Sequence, residues 1–136
     1  MENELRVDIG SDGDVLTARA EGRALAARAG FSSTDLTLIA TAISEIARNI
    51  VLYARQGQMV FRVVDEGDRQ GIVVVASDDG PGIDDVHMAM RDDFSTGQGL
   101  GLGLPGARRL MDEFEIDSAR GGGTTVTMRK WIVRRG

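Results

Sequence analysis

The spacing of apolar residues in the first part of the chain predicts a strand followed by a helix. Residues 5–9 alternate apolar and polar side chains, which is typical of a half-buried strand. Residues 15–29 are rich in Ala, Arg and Leu, and their spacing predicts an amphipathic helix that ends at Gly30. Ser11 or Asp12 is the expected N-cap of this helix.

A second and longer helix is predicted from Ser32–Asp35 to near Ala54. Its apolar residues recur in steps of three or four and therefore lie on one side of a helix. The stripe consists of Leu36, Ile39, Ile43, Ile46, Ile50 and Tyr53.

The second half of the chain predicts a hairpin, a third long helix and a second pair of strands. Residues 58–64 and 71–76 are rich in Val, Ile and Phe and flank a polar turn, which predicts an antiparallel hairpin. Residues 104–114 have helical spacing, and Pro105 suits the first turn of that helix. The remaining predicted elements are a short helix at 84–90, a strand at 115–118, a turn at 121–123 and a strand at 124–133.

These elements predict an α+β fold in one domain, residues 1–136, with helices packed on one face of a largely antiparallel sheet. No βαβ unit surrounds the glycine-rich segment, which excludes a Rossmann fold. No Gly-Lys-Ser/Thr closes that segment, which excludes a P-loop.

Composition narrows the classes of function. The net charge of −5 and the sequence pI of about 4.8 argue against nucleic-acid binding. The chain has no cysteine and therefore no disulfide framework or thiolate metal site, which fits a cytoplasmic location. We expect no membrane span, because no uninterrupted apolar run has the necessary length.

Residues 78–104 contain regularly spaced glycines. Asp78-Asp79-Gly80-Pro81-Gly82-Ile83 is followed, after a polar stretch, by the sequence Gly-Leu-Gly-Leu-Gly-Leu at 99–104. A glycine loop that runs into a helix favours phosphate, because free backbone N–H groups and the helix dipole both attract an anion. The sequence therefore predicts a nucleotide site.

Glu45 and Asn49 lie four residues apart on the long helix and share one face, offset from its apolar stripe. The pair could supply a general base and an oxygen ligand for Mg²⁺. On spacing alone, a surface pair or an ion pair between Glu45 and Arg48 is the favoured interpretation, because such pairs are common on exposed helices.

Asp78 stands at the end of a predicted strand, where a carboxylate could accept a hydrogen bond from the amino group of adenine. Asp79 competes for this role, and both could be ordinary turn residues. Thr124 and Thr125, in the last strand, are two further candidates.

The order of these groups resembles the GHKL ATPase superfamily, which includes gyrase, Hsp90, histidine kinases and MutL. The four matching boxes are Glu45 with Asn49, Asp78 to Gly82, Gly99 to Leu104, and Gly123 to Thr125. The resemblance implies a Bergerat fold that binds Mg-ATP, with Glu45 as the general base, Asn49 as the Mg²⁺ ligand and Asp78 as the adenine contact. It further implies an ATP site formed by Asn49, Asp78, Gly80, Gly82, Ile83, Gly99, Leu100, Gly101, Leu102, Gly103, Leu104, Thr124 and Thr125.

Within this superfamily the chain resembles the small RsbT-like kinases of sigma-factor partner switching. Residues 41–50, 94–96 and 103–114 and the closing Lys130-Trp131 carry the likeness, and 103–114 separates it from the anti-sigma kinases RsbW and SpoIIAB. The resemblance implies phosphoryl transfer to Ser or Thr of STAS-domain stressosome proteins (RsbS/RsbR-like). It also implies activation of a PP2C-type phosphatase (RsbU-like). Neither a nucleic acid nor a membrane is an expected partner. The alternative is an anti-sigma factor kinase that sequesters a sigma factor.

Two expectations concern the surroundings of this site. Residues 91–98 would form a short lid over the nucleotide, and the arginines at 19, 23 and 28 would form a docking face for another protein. His87, the single histidine, is interpreted as incidental, because it lies outside all four boxes.

Overall fold

Three helices and five strands make up the computed structural model, which describes residues 4–82 and 103–133. The short helix predicted at 84–90 and the lid predicted at 91–98 lie outside these residues. The elements are β1 (Glu4–Ile9), α1 (Asp12–Ala29), α2 (Ser33–Asn49), a π-helical turn (Ile50–Ala54), β2 (Gly57–Asp65), β3 (Arg69–Asp78), α3 (Gly103–Leu110), β4 (Glu113–Ser118) and β5 (Thr124–Val133).

The ends of α1 and α2 follow the capping signals in the sequence. The hydroxyl of Ser11 accepts a hydrogen bond from the backbone N–H of Asp14, and Ser32 caps α2 through Asp35 in the same way. Gly30 ends α1 in the left-handed conformation, with φ of 103°. These contacts satisfy backbone groups that a helix end leaves unpaired, so the predicted boundaries are confirmed.

The strands form one sheet in the order β1-β2-β3-β5-β4, and all four pairings are antiparallel. The predicted hairpin is β2–β3, and β3 is the central strand. It ends at Asp78, which pairs with Gly57 of β2 on one side and with Thr124 of β5 on the other. The predicted α+β class is confirmed, and the sheet brings Asp78 and the start of β5 together.

Strand alternation divides the sheet into a covered face and an open face. The covered face packs on the helices and supplies Val7, Ile9, Met59, Phe61, Ile72, Val74, Ala76, Val126 and Met128 to the core. On the open face the register aligns one row across all five strands: Glu4, Arg62, Val73, Arg129 and Glu113. Val73 is nevertheless buried, since arginines flank it in this row and long arginine stems can cover apolar surface.

Helix α2 is the central helix of the core. Its buried residues include Ile39, Ile43 and Ile46, as the apolar stripe predicts, whereas Tyr53, the last residue of that stripe, is exposed. Residues Ser33–Ala54 are long enough and apolar enough, with mean hydropathy 1.3, to satisfy a criterion for a membrane span. In this fold the apolar stripe packs against α1 and the sheet, which is the expected behaviour of a core helix.

The third helix is shorter than predicted, and its helical spacing was misleading beyond Leu110. Phe114, expected at the end of the helix, belongs to β4 and pairs with Met128 of β5. The backbone N–H of Asp112 already bonds to the carbonyl of Arg129. Residues 113–118 also alternate in polarity, and pairing with β5 decides their conformation over the helical spacing of one phenylalanine.

Candidate functional site

The Glu45 carboxylate lies between two donors. Its Oε1 accepts a hydrogen bond from the backbone N–H of Gly103 at 3.2 Å, and its Oε2 pairs with the guanidinium of Arg48 at 3.1 Å. The side chain is 12% exposed, whereas that of Arg48 is 46% exposed. The predicted ion pair with Arg48 is therefore present, but it coexists with a second contact that joins α2 to the first residue of α3.

Asn49 follows Glu45 by one helical turn, a rise of about 6 Å along α2. It is half-buried, and its carboxamide makes no hydrogen bond to any residue in the described ranges 4–82 and 103–133. Among those residues there is no group of three or more His, Cys, Asp or Glu placed to hold a metal. A carboxamide oxygen beside a carboxylate fits a Mg²⁺ ion whose remaining ligands are phosphates and water.

Helix α2 changes its winding directly after Asn49. Residues Ile50–Ala54 form a π-helical turn, which Arg55 ends with a φ of 72°. The turn places Ala54 so close to Gly80 that a Cβ on Gly80 would lie 2.6 Å from that of Ala54. Helix α2 and the π turn thus form one continuous segment from Glu45 to Ala54, and Ala54 contacts the loop that follows Asp78. π-Helical turns are frequent at functional sites.

Asp78 is distinguished from Asp79 by its contacts. Oδ1 of Asp78 accepts a hydrogen bond from the backbone N–H of Gly80 at 2.8 Å, and the residue is half-buried at the end of β3. Asp79 is exposed. The hydrogen bond fixes one carboxylate oxygen of Asp78 and leaves the other available to a ligand amino group.

Two glycines frame Asp78: Gly57, the first residue of β2, and Gly123, which directly precedes β5. A Cβ on Gly57 would lie 2.5 Å from the carbonyl oxygen of Ser77 and 3.0 Å from the Cβ of Asp78. A Cβ on Gly123, whose φ is 79°, would overlap the carbonyl oxygen of Asp78. Sequence reasoning missed Gly57, because a glycine at the start of a strand carries no signal until its partner across the sheet is known.

The loop after β4 supports the segment that follows Asp78. The backbone N–H of Gly121 donates to the carbonyl of Pro81 at 2.6 Å. Gly82, with φ of 76°, passes so close to the carbonyl of Ala119 that any side chain would collide with it. Gly82 of the second box is therefore needed for the close approach of the two loops.

The two candidate threonines lie on opposite faces of the sheet. Thr124 pairs with Asp78 on the covered face, and its hydroxyl lies 2.8 Å from that of Ser118. Thr125 is exposed and pairs with Ser77 on the open face. The structure thus brings Thr124 to Asp78 and points Thr125 away from it, because successive strand residues alternate in direction.

Gly103 and Leu104 begin α3, and both are half-buried. Leu104 packs against the core next to α2. The remaining residues of the predicted site, Ile83, Gly99, Leu100, Gly101 and Leu102, lie outside the described residues. The described part of the candidate site has two ends, which α2 joins. One end consists of the Glu45 carboxylate and the start of α3, and the other consists of Asp78 and the glycines around it.

Comparison with known proteins places the chain in a family. The histidine kinase-like ATPase domain family matches residues 11–130, and the chain belongs to this family. The predicted superfamily and Bergerat-type fold are thereby confirmed, and use of ATP follows from the family.

At the level of individual proteins, the chain is 46% identical to the serine/threonine-protein kinase RsbT of Bacillus subtilis (strain 168). This similarity covers 97% of the chain and 99% of its relative. The chain is also 33% identical to an anti-sigma F factor of Caldanaerobacter subterraneus, over 86% of the chain and 85% of that protein, and 31% identical to one of Thermoanaerobacter, over 85% and 83%. The predicted RsbT-like character and the predicted enzyme class, an ATP-dependent serine/threonine protein kinase, are confirmed.

Proposed function

We propose that this chain, as a single domain, transfers the γ-phosphoryl group of Mg-ATP to a serine or threonine of STAS-domain stressosome proteins. After release from them it binds and activates a PP2C-type phosphatase in a sigma-factor stress-response pathway. The observation that carries the catalytic part is the hydrogen bond from the N–H of Gly103 to Glu45. It places a carboxylate at the start of a helix, where phosphate is favoured.

In this proposal Glu45 is the general base. The hydroxyl oxygen of the substrate attacks the γ-phosphorus, its proton passes to the carboxylate, and the bond from phosphorus to the leaving oxygen of ADP breaks. Gly103 and Arg48 hold the carboxylate in one orientation. Asn49 is the proposed ligand of Mg²⁺, whose bound charge offsets the charge of the transferred group.

At the other end of the site, Asp78 is the proposed acceptor for the adenine amino group. Gly80 and Gly82 keep the roles that the family resemblance implies, and their lack of a side chain lets the loop after Asp78 pack against Ala54 and Ala119. Thr124, the cross-strand partner of Asp78, supports the same side. Gly99, Leu100, Gly101, Leu102 and Ile83 keep the roles that the family resemblance implies, with Gly103 and Leu104 closing the phosphate loop. Thr125 is left out, because it lies on the open face.

For the protein substrate we propose a docking face on α1 around Leu16, Arg19 and Arg23. Leu16 is 65% exposed, and no ion pair engages either arginine within the described residues. At 100° per residue these three side chains project within about 60° of one another, whereas Arg28 projects about 120° from Leu16. The predicted three-arginine face therefore reduces to two arginines beside an exposed leucine, which suits an acidic partner surface with an apolar centre.

The alternative function is that of an anti-sigma factor kinase, and identities of 31–33% to anti-sigma F factors support it. The higher identity to RsbT, over 97% of the chain, favours the first proposal. Both alternatives share the ATP site, so they differ only in the partner. A cytoplasmic location is part of either proposal.

The test is a transfer assay with labelled Mg-ATP. The chain is incubated with a STAS-domain protein from its own organism and, separately, with the matching sigma factors. Label on a serine or threonine of the STAS protein, lost in Glu45→Ala, is the expected result. Tight binding of a sigma factor without transfer to any STAS protein would overturn the proposal in favour of the alternative.

A further inference from the structure

Lys130 is a buried lysine at a position where the strand pattern calls for an apolar residue. Along β5 the covered face receives Val126, Met128, Lys130 and Ile132 in alternation. Lys130 is only 8% exposed, and it belongs to neither end of the candidate site. An ammonium group is costly to bury unless it is paired, so its partners indicate its role.

Those partners are at the C-terminal end of α3. Nζ of Lys130 donates to the carbonyl of Leu110, the last residue of the helix, at 3.0 Å, and lies 3.7 Å from Oδ1 of Asp112. The same carboxylate accepts the backbone N–H of Trp131 through Oδ2 at 2.8 Å. A cation at a helix C-terminus also interacts favourably with the helix dipole.

Helix α3 is therefore held at both ends. Its first residue, Gly103, bonds to Glu45, and its last residue, Leu110, bonds to Lys130. The helix has only eight residues, a length of about 12 Å. A displacement at one end of so short a helix moves the other end as well. The residues between the two ends, Gly106 and Ala107, are buried and closely packed, so the helix moves as a rigid unit.

We propose that Lys130 is a positioning residue, which holds α3 so that the N–H of Gly103 meets Glu45 and the start of the helix faces the phosphates. This inference rests on the proposed phosphotransfer function. It also connects two stretches that carry the RsbT-like resemblance, 103–114 and Lys130-Trp131. Of these residues the catalytic proposal uses only Gly103 and Leu104.

The first experiment does not depend on phosphoryl-transfer activity. The amide resonance of Gly103 is recorded in the full chain and in Lys130→Met, Lys130→Arg and Glu45→Ala. We expect the resonance of the Gly103 amide proton to move upfield in Lys130→Met, in the same direction as in Glu45→Ala. Glu45→Ala removes the acceptor of the Gly103 N–H, and Lys130→Met should weaken the same hydrogen bond by displacing α3. Lys130→Arg keeps a hydrogen-bond donor at this position, so its Gly103 resonance should lie between that of Lys130→Met and that of the parent chain. An unmoved Gly103 amide in folded Lys130→Met would overturn the proposal.

The second experiment measures transfer per folded molecule, well below the melting temperature of each variant. Lys130→Met should lower kcat by about tenfold to a hundredfold, the effect typical of misplacing a catalytic group, with partial rescue in Lys130→Arg. Arg129→Met is the matched control. It removes a charge one residue away, but its side chain lies on the open face with Glu113 and Glu115.

The two proposals fail in different ways. If the unmodified chain transfers phosphate to no STAS protein, the proposed substrate is wrong, and the Gly103 resonance still tests Lys130. If the unmodified chain is active and Lys130→Met has the same kcat per folded molecule, or loses no more than Arg129→Met, then Lys130 is only a stabilising residue and the positioning role is wrong.

Discussion

The backbone N–H of Gly103 donates to Oε1 of Glu45 across 58 positions of sequence, at 3.2 Å. This contact joins the long core helix to the first residue of the helix that follows the glycine repeat. It gives the glutamate a fixed orientation that the Arg48 ion pair alone would not impose, since exposed ion pairs of this spacing are weak.

The first prediction concerns Glu45 itself. Glu45→Ala should leave ATP affinity within a few-fold of the parent chain and slow phosphoryl transfer by about 100-fold or more, the usual loss when a general base is removed. Titration with a fluorescent ATP analogue and single-turnover transfer measure the two quantities. Arg48→Ala keeps the carboxylate and its Gly103 contact and removes only the ion pair, so it should slow transfer much less than Glu45→Ala. A normal transfer rate in Glu45→Ala would exclude the base role.

The second prediction separates two adjacent carboxylates. Asp78→Asn should weaken ATP binding by about tenfold or more, because it replaces a charged acceptor at the position proposed to bind the adenine amino group. Asp79→Asn makes the same chemical change on an exposed side chain and should change the affinity little. Calorimetric titration with ATP distinguishes the two. Equal losses in both variants would indicate a general effect of charge and not an adenine contact.

The third prediction addresses Asn49. Asn49→Asp adds a negative charge one turn from Glu45 and should shift the Mg²⁺ concentration that gives half-maximal transfer, because charge count tunes the affinity of oxygen sites. Gln56→Glu is the control, as it adds the same charge beyond the π turn. The assay is a Mg²⁺ titration at saturating ATP. An unchanged requirement would argue against Asn49 as the ligand.

The fourth prediction concerns the framing of Asp78. Gly57→Ala should lower the free energy of unfolding by about 1–3 kcal/mol, the typical effect of overpacking, and should weaken ATP binding as well. The new Cβ would meet Ser77, Ile50 and Asp78 within 2.5–3.0 Å. Gly13→Ala is the control, since its nearest neighbour would lie 3.7 Å away. Urea unfolding and ATP titration are the measurements.

If Gly57→Ala loses stability while keeping full ATP affinity, the framing serves the sheet and not the ligand. If both quantities are unchanged, the strands adjust without cost, and the close approach of β2 to Asp78 has no energetic consequence.

The fifth prediction tests the docking face. Arg23→Glu should raise KM for the STAS substrate by about tenfold, and the effect should shrink at high salt, because charge complementarity acts on partner recognition. Arg28→Glu, on another side of the same helix, should leave KM near that of the parent. Initial rates at several substrate and salt concentrations provide the comparison. Equal effects of the two variants would place the docking surface elsewhere.

Local patterns predicted most of the fold. The caps at Ser11, Ser32 and Gly30 and the apolar stripe of α2 depend on neighbours a few residues away, and such signals can be read from sequence. Phe114 was misassigned, because its conformation is decided by pairing with Met128 in a strand that comes later in the chain. The π turn after Asn49 was not foreseen either, since steps of three and four residues do not reveal a change of winding.

For the candidate site, too, the sequence was informative where the signal was local and not where it depended on distant parts of the chain. Glu45, Asn49 and Asp78 were predicted from their spacing and order. Composition alone did not separate Asp78 from Asp79, of which the family resemblance favoured Asp78, and the resemblance left Thr124 and Thr125 open. Burial separates the first pair and the face of the sheet separates the second. Gly57 gave no local signal, and the strand pattern alone did not explain the lysine at position 130, because both residues make their contacts with parts of the chain that are distant in sequence.

The edge strand β4 sets a limit on how copies of this protein can associate. Glu113, Glu115 and Asp117 alternate along it on the open face, and the neighbouring strand supplies one arginine, Arg129, to offset them. Joining two such edges into a continuous sheet would bring six carboxylates together. Edge charges of this kind protect against strand-to-strand aggregation. At neutral pH, pairing of two copies through β4 should therefore be disfavoured.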